Sequence, residues 1–172
     1  MRTRQANTRC TAVGNGANGV VIITSNGGSS WTRTSYGAGA VLSSVSCIPG
    51  TKKPTCFAAG DASDGGPGVT GSSVVIESAS GSSHWQVKQT FPYAYGFPVT
   101  SISCVDARHC WTAWSGSYQV LNGMSNGGAS WTTVTSDAQT AFGGVACLND
   151  KVCVATTDGG LYVTTDDGGP AG

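Results

Sequence analysis

Apolar residues in this chain fall in short, β-prone runs such as Val20-Val21-Ile22-Ile23, Val74-Val75-Ile76 and Trp111-Thr112-Ala113-Trp114, with clusters of Gly, Ser, Thr and Asn between them. Short apolar runs bounded by turn-forming clusters predict strands joined by tight connections. Nowhere do apolar positions recur at helical spacing over three turns while Gly, Ser and Thr stay rare. The chain is expected to be all-β.

The tryptophans expose an internal repeat. Thr24-Ser25-Asn26-Gly27-Gly28-Ser29-Ser30-Trp31 recurs as Ser78-Ala79-Ser80-Gly81-Ser82-Ser83-His84-Trp85 and as Met124-Ser125-Asn126-Gly127-Gly128-Ala129-Ser130-Trp131. A fourth copy begins Thr165-Asp166-Asp167-Gly168-Gly169, and its tryptophan would fall at the end of the chain. A second marker runs out of phase with the first: Ser44-Val45-Ser46-Cys47, Ser101-Ile102-Ser103-Cys104 and Gly144-Val145-Ala146-Cys147 each precede another cysteine, namely Cys56, Cys110 and Cys153. Cys10 opens the same second half without an upstream partner.

Together the markers assign four strands per unit. Strand A ends at the first cysteine, B starts at the second, C runs into the Gly-rich turn, and D follows the tryptophan. The tryptophans are 54 and 46 residues apart, the size of a four-stranded propeller blade. A β-solenoid or an irregular sandwich also uses short strands at regular spacing; the period and the four strands per unit favour the propeller. About three and a half blades are expected in one repeat domain: a partial blade over 1–36, blades over 41–92 and 99–136, and a partial blade over 142–172. Further blades or a second subunit are then needed to close the ring.

Within each Gly-rich turn, Asn26, Ser80, Asn126 or Asp167 is placed to accept backbone N–H bonds. Gly28, Gly128 and Gly169 supply left-handed dihedrals, and Trp31, Trp85 and Trp131 fold back over the turn. This is a structural device rather than a calcium site, since Ser80 replaces the amide or carboxylate in one copy. The pairs Cys47 and Cys56, Cys104 and Cys110, and Cys147 and Cys153 sit in different units and are too far apart for zinc knuckles. Disulfides across each A to B hairpin are the better reading, with Cys10 left as a free thiol.

Composition narrows the function classes. Charged residues make up 10% of the chain, and nine basic side chains balance nine acidic ones. No basic stripe points to nucleic acid. The longest apolar stretch, Gly19 to Ile23, is far short of a membrane span. Seven cysteines in so weakly charged a chain suggest an oxidising home, extracellular or at the cell surface, although the amino end lacks the apolar core of a signal peptide.

At these residues the repeat resembles the BNR or Asp-box family, S-x-D-x-G-x-x-W, within the propellers that include sialidases, photosystem II stability and assembly factors and sortilin-type receptors. The cysteine-bearing form is similar to versions in secreted or surface proteins of soil bacteria, and the chain resembles a fragment of such a protein. The likeness implies a propeller and is shared by enzymes and non-enzymes alike. Sialidases bind their substrate with three arginines and use a tyrosine paired with a glutamate. Here Glu77 is the single glutamate, and outside the amino end only Arg33 and Arg108 remain, so no catalytic residue is carried over. Asp61, Asp64, Asp106, Asp150, Asp158, Asp166 and Asp167 read as turn residues, and His84 and His109 as surface residues.

The best place for a binding platform is an aromatic insertion after strand D of the second blade, Phe91, Tyr93, Tyr95 and Phe97 with Pro92 and Pro98, although packing between two blades accounts for such a cluster more readily. No cofactor or metal is expected. The sequence therefore points to a non-enzymatic, extracytoplasmic module presenting loops to a protein or glycan. The alternatives are a segment of a sialidase-like glycoside hydrolase with its catalytic residues elsewhere, or a protein like the photosystem II assembly factors.

Overall fold

The computed structural model describes residues 8–16, 19–36, 40–48, 53–62, 71–92, 98–115, 119–137, 141–166 and 169–170. They form four antiparallel sheets, each a meander in chain order. Blade I holds β1 (Cys10–Gly14), β2 (Val20–Thr24) and β3 (Thr32–Ser35). Blade II holds β4 (Ala40–Cys47), β5 (Cys56–Ala62), β6 (Ser72–Ser78) and β7 (Gln86–Pro92). Blade III holds β8 (Val99–Cys104), β9 (Cys110–Trp114), β10 (Gln119–Met124) and β11 (Thr132–Asp137). Blade IV holds β12 (Phe142–Cys147), β13 (Cys153–Thr157), β14 (Gly160–Asp166) and β15 (Gly169–Pro170).

The cysteines set the strand ends. Cys47 lies opposite Cys56, Cys104 opposite Cys110, and Cys147 opposite Cys153. Each pair is joined by a disulfide with its Cα atoms 4.0 Å apart, the closeness of facing residues in a non-hydrogen-bonded antiparallel pair. Just beyond each bridge the next amide closes the hairpin: Ile48 N–H donates to the Thr55 carbonyl, Val105 to His109 and Leu148 to Val152. Cys10 is free and exposed.

The inner strands lie side by side, β1 against β4, β4 against β8 and β8 against β12, and a ladder of hydroxyls joins them. The Ile102 and Cys104 amides of β8 donate to the Oγ atoms of Ser44 and Ser46 on β4, at 3.1 and 2.9 Å. One blade on, the Val145 and Cys147 amides of β12 donate to Ser101 and Ser103 on β8, at 3.2 and 3.0 Å. The inner strands β4, β8 and β12 also carry a bulge each, after Leu42, Val99 and Phe142. The bulge hydroxyls of Ser43 and Thr100 donate across to the carbonyls of Val99 and Phe142. A bulge re-aims a side chain, here toward the neighbouring blade.

The apolar core lies between blades. Val21 of blade I faces Leu42, Ala58, Val74 and Ile76 of blade II. Phe57, Ala59 and Val75 of blade II face Val99, Ile102, Cys110 and Trp114 of blade III. Trp111, Ala113 and Leu121 of blade III face Phe142, Val145, Cys153 and Ala155 of blade IV. Blades II and III thus each have a forward face buried by the following blade and a backward face buried by the preceding one.

Three expectations need correction. The unit over 142–172 reads as a partial blade, but β15 adds a two-residue fourth strand through a hairpin that pairs Asp166 with Gly169, so Gly169 is in a strand. The fourth repeat is also displaced by one residue. Thr164 lies opposite Cys153 as Thr24 lies opposite Cys10, Ser78 opposite Cys56 and Met124 opposite Cys110, which puts Asp166, not Asp167, at the position of Asn26. Asp167 itself lies outside the described residues. Finally, the second Gly-rich turn contains a short 3-10 helix, Ala79–Gly81. Gly28 and Gly128 take φ of 94° and 93°, whereas Ser82 at the same position takes −61°, because a side chain makes the left-handed region costly.

Candidate functional site

Antiparallel meanders send alternate connections to opposite ends of the sheets. One end collects the disulfide loops and the Gly-rich turns, and it is built alike in successive blades. In the first turn Asn26 Oδ1 accepts from the Ser30 amide at 3.0 Å and its Nδ2 donates to Ser30 Oγ at 2.8 Å. Asn126 and Ser130 repeat both bonds at 3.0 and 2.6 Å. In the second turn Ser78 Oγ instead donates to the Ser82 carbonyl.

The repeat tryptophans meet different neighbours. Gly28 lies beneath the Trp31 ring, but Trp85 packs into the cluster between blades I and II, and Trp131 into that between blades II and III. Trp31 is 46% exposed.

Two of the disulfide loops share a turn that the cysteine spacing did not reveal. Asp106 Oδ1 accepts from the Arg108 and His109 amides at 2.7 and 2.9 Å, and Asn149 Oδ1 accepts from Lys151 and Val152 at 2.9 and 2.8 Å. The readable signal is an Asx residue two positions after the first cysteine, a residue type that bonds its own following amides. Asp106 also holds His109 Nδ1 at 2.9 Å. Burial pushes its carboxyl up, but the bonds from the His109 ring and the two amides outweigh that and hold it below the ordinary aspartate range. His109 is thus a fixed, half-buried side chain rather than a free surface residue. Together with Trp111, Met124, Ser125, Thr132 and Asp150 it lines a cavity of about 230 Å³ between blades III and IV.

The other end collects the B to C and D to A connections, whose lengths differ from blade to blade. They run over residues 15–19, 63–71, 115–118 and 158–159, and over 36–39, 93–98 and 138–141. Here the inner strands of three blades open onto a wider cavity of about 550 Å³. Val13 and Asn15 line it from blade I, Ser43 and Asp61 from blade II, and Pro98 and Thr100 from blade III. Asp61 Oδ1 accepts from Ser73 Oγ at 3.1 Å.

The aromatic insertion divides at this rim. Phe91 is half-buried and packs edge-on against Trp114 and Trp131, with ring centroids 5.0 and 5.6 Å apart, so it belongs to the packing between blades II and III. Tyr93, Tyr95 and Phe97 lie outside the described residues, but the segment they belong to runs directly into Pro98 and Val99 of the cavity wall.

The described carboxylates are spread over the blades. Glu77 on β6, outside the inner strands, pairs with Lys88 on β7 at 2.7 Å, Asp61 lies at one end and Asp106 at the other. Among the described residues no three His, Cys, Asp or Glu side chains gather as a metal site would require, and no helix is long and apolar enough to cross a membrane.

Sheets of this kind, stacked face to face about a common inner edge, are blades of a β-propeller. Solved structures carry the same fold: the chain is similar to "YCF48 bound to D1 peptide", with 17% identity and a TM-score of 0.57 over 76% of this chain and 39% of that one. It is similar also to the Malassezia sympodialis allergen Mala s 1, with 13% identity and a TM-score of 0.64 over 94% and 57%. A third similar structure is the GH74 xyloglucanase of Xanthomonas campestris, with 14% identity and a TM-score of 0.62 over 85% and 24%. The chain therefore spans between a quarter and somewhat more than half of the length of these propellers. No protein family's sequence model matches the chain, and no curated protein matches it by sequence.

Proposed function

We propose that this chain is a non-catalytic propeller module of an oxidising, extracytoplasmic compartment, and that it binds a protein segment or a glycan at the end where its connections vary. The observation that carries the reading is the division of labour between the ends. One end carries the disulfide hairpin in three blades and the Asn-centred turn in two, while the other varies its loops around a cavity of about 550 Å³, within the size range of ligand sites. Variable loops on a rigid scaffold are where binding residues concentrate. The adjoining segment with Tyr93, Tyr95 and Phe97 supplies rings of the kind that stack on sugars or peptide side chains. Similarity to a propeller whose structure holds a D1 peptide supports a polypeptide ligand, and similarity to a xyloglucanase keeps a glycan in view. Three disulfides support the location.

The test is to screen the oxidised protein against peptide and glycan arrays and, in parallel, to incubate it with xyloglucan and a sialoside while following released sugar. Binding without hydrolysis, abolished by Asn15→Trp at the exposed cavity rim, is the expected result. Hydrolysis that disappears when one carboxylate is replaced would overturn it and establish the glycoside hydrolase reading.

A further inference from the structure

The cavity of about 230 Å³ between blades III and IV lies on a part of the forward face that blade II fills with its own side chains. Strand register makes the correspondence. Glu77 on β6 lies opposite Phe57, and Gly123 on β10 lies opposite Trp111, each partner being the residue after a strand B cysteine. Lys88 is the residue passed over by the bulge between β6 and β7, and Val134 is the one passed over between β10 and β11. In blade II the two positions hold an ion pair, with Lys88 Nζ 2.7 Å from a Glu77 carboxylate oxygen. In blade III they hold a glycine and a valine, and both line the cavity. The opening thus follows from two residue choices within blade III.

The walls select the occupant. A Cβ at position 123 would lie 3.1 Å from Trp111 Nε1 and 3.2 Å from its Cδ1, so the glycine leaves the indole bare on that side. An indole attracts a cation. Asp150, an exposed residue of the next blade, adds a carboxylate to the lining. His109 supplies an acceptor: Asp106 holds its Nδ1 at 2.9 Å, and because a carboxylate can only accept, Nδ1 carries the hydrogen and Nε2 of the neutral ring keeps its lone pair. Ring, carboxylate and imidazole nitrogen all suit a positive charge, and Trp111 and Val134 suit a short hydrocarbon stem. The volume is below the ~300–1,000 Å³ of drug-sized ligand sites and suits one side chain.

We infer that this cavity binds an alkylammonium group, the chemistry of a lysine side chain, in the place where blade II seats its own Lys88. The group can come from a free amine or from a lysine of a partner polypeptide. The site lies at the end of the disulfide loops, away from the cavity lined by Asn15, Asp61 and Pro98, and its occupancy does not depend on what binds there.

Titration of the oxidised protein with n-butylammonium and with Nα-acetyl-lysine methylamide, followed by nuclear magnetic resonance at the Trp111 indole N–H and the His109 ring, tests the inference. Both probes are expected to move these signals, and the lysine derivative acetylated on its side-chain nitrogen should bind about tenfold more weakly or worse, having lost its charge. Asp150→Asn, at an exposed position, should weaken the amines by about fivefold. Val134→Lys sets an ammonium of the protein's own where Lys88 stands in blade II and should abolish binding, with an unchanged circular dichroism spectrum. Equal affinity for the two probes assigns a free amine, and tighter binding of the lysine derivative assigns a polypeptide; either supports the site. Amines that leave the Trp111 and His109 signals unmoved, an acetylated derivative that binds as well as its parent, or full affinity in both Asp150→Asn and Val134→Lys overturns it.

Discussion

If the inner-strand hydroxyls hold successive blades in register, Ser46→Ala should destabilise the protein more than Ser103→Ala, although both remove one hydroxyl from the same repeat position. Each serine accepts a single backbone amide from the next blade, Cys104 N–H at 2.9 Å and Cys147 N–H at 3.0 Å. The difference lies in what happens to the abandoned amide. Cys104 is buried in the cluster between blades II and III, so its N–H is left without a partner, and the cost should be about 2 kcal/mol. Cys147 is only half-buried in blade IV; water reaches it, and the cost should fall to about 1 kcal/mol, the net value of an ordinary hydrogen bond. The two sites belong to different interfaces, so the double variant should be additive to within about 0.5 kcal/mol. Urea unfolding measures the energies, and amide hydrogen exchange shows whether Cys104 alone gains exchange in Ser46→Ala. Equal effects in both variants, or losses below a few tenths of a kcal/mol, would refute the idea that these hydroxyls are interface bonds.

Other consequences follow from the same geometry. Gly60→Ala would bring a Cβ to 2.1 Å from the Val41 carbonyl oxygen and 2.7 Å from Leu42 Cα, both backbone atoms, so it should cost about 3 kcal/mol or more, read as a lowered urea midpoint. Asn126→Ala removes the acceptor for the Ser130 amide and should cost about 1 kcal/mol, whereas Asn126→Asp keeps an oxygen there and should recover most of it. Reducing all three disulfides, which close spans of nine, six and six residues, removes about 7 kcal/mol on the loop-entropy estimate; a thermal melt with and without reductant should differ by roughly 20 °C. Asp106 holds its proton more weakly in the folded state than in the unfolded chain, so its stabilisation is complete above the ordinary aspartate range near 3.9 and fades as pH falls through the lowered folded value. The stability gap between the wild type and Asp106→Asn should accordingly shrink toward zero in acid, and a gap that widens there would contradict the assignment.

Much of the fold was legible because two independent markers, cysteine and tryptophan, fall at fixed places in every unit. Strand A ends at Cys47, Cys104 and Cys147, and strand B begins at Cys56, Cys110 and Cys153, since a cross-strand bridge requires directly facing residues. The displaced fourth repeat was not legible, because Thr164-Thr165-Asp166-Asp167 offers two equivalent alignments and only pairing with Cys153 chooses between them. The hydroxyl ladder was hidden for a different reason. Alternating Ser44 and Ser46 look like polar positions on a half-exposed strand, and their bonds run to residues 58 positions away. The cavity escaped for the same cause, being assembled from Asn15, Asp61 and Pro98 on three blades, whereas the aromatic segment that precedes Pro98 in sequence stood out through local clustering alone.

The chain is a series of blades, three of them stapled across their own inner hairpins. Proteolysis of the unreduced, alkylated protein followed by mass spectrometry of the linked peptides tests it directly. The account predicts bonds from Cys47 to Cys56, Cys104 to Cys110 and Cys147 to Cys153, with Cys10 the one alkylated cysteine. Bonds that join cysteines of different blades would contradict the register on which both the fold and the proposed sites rest.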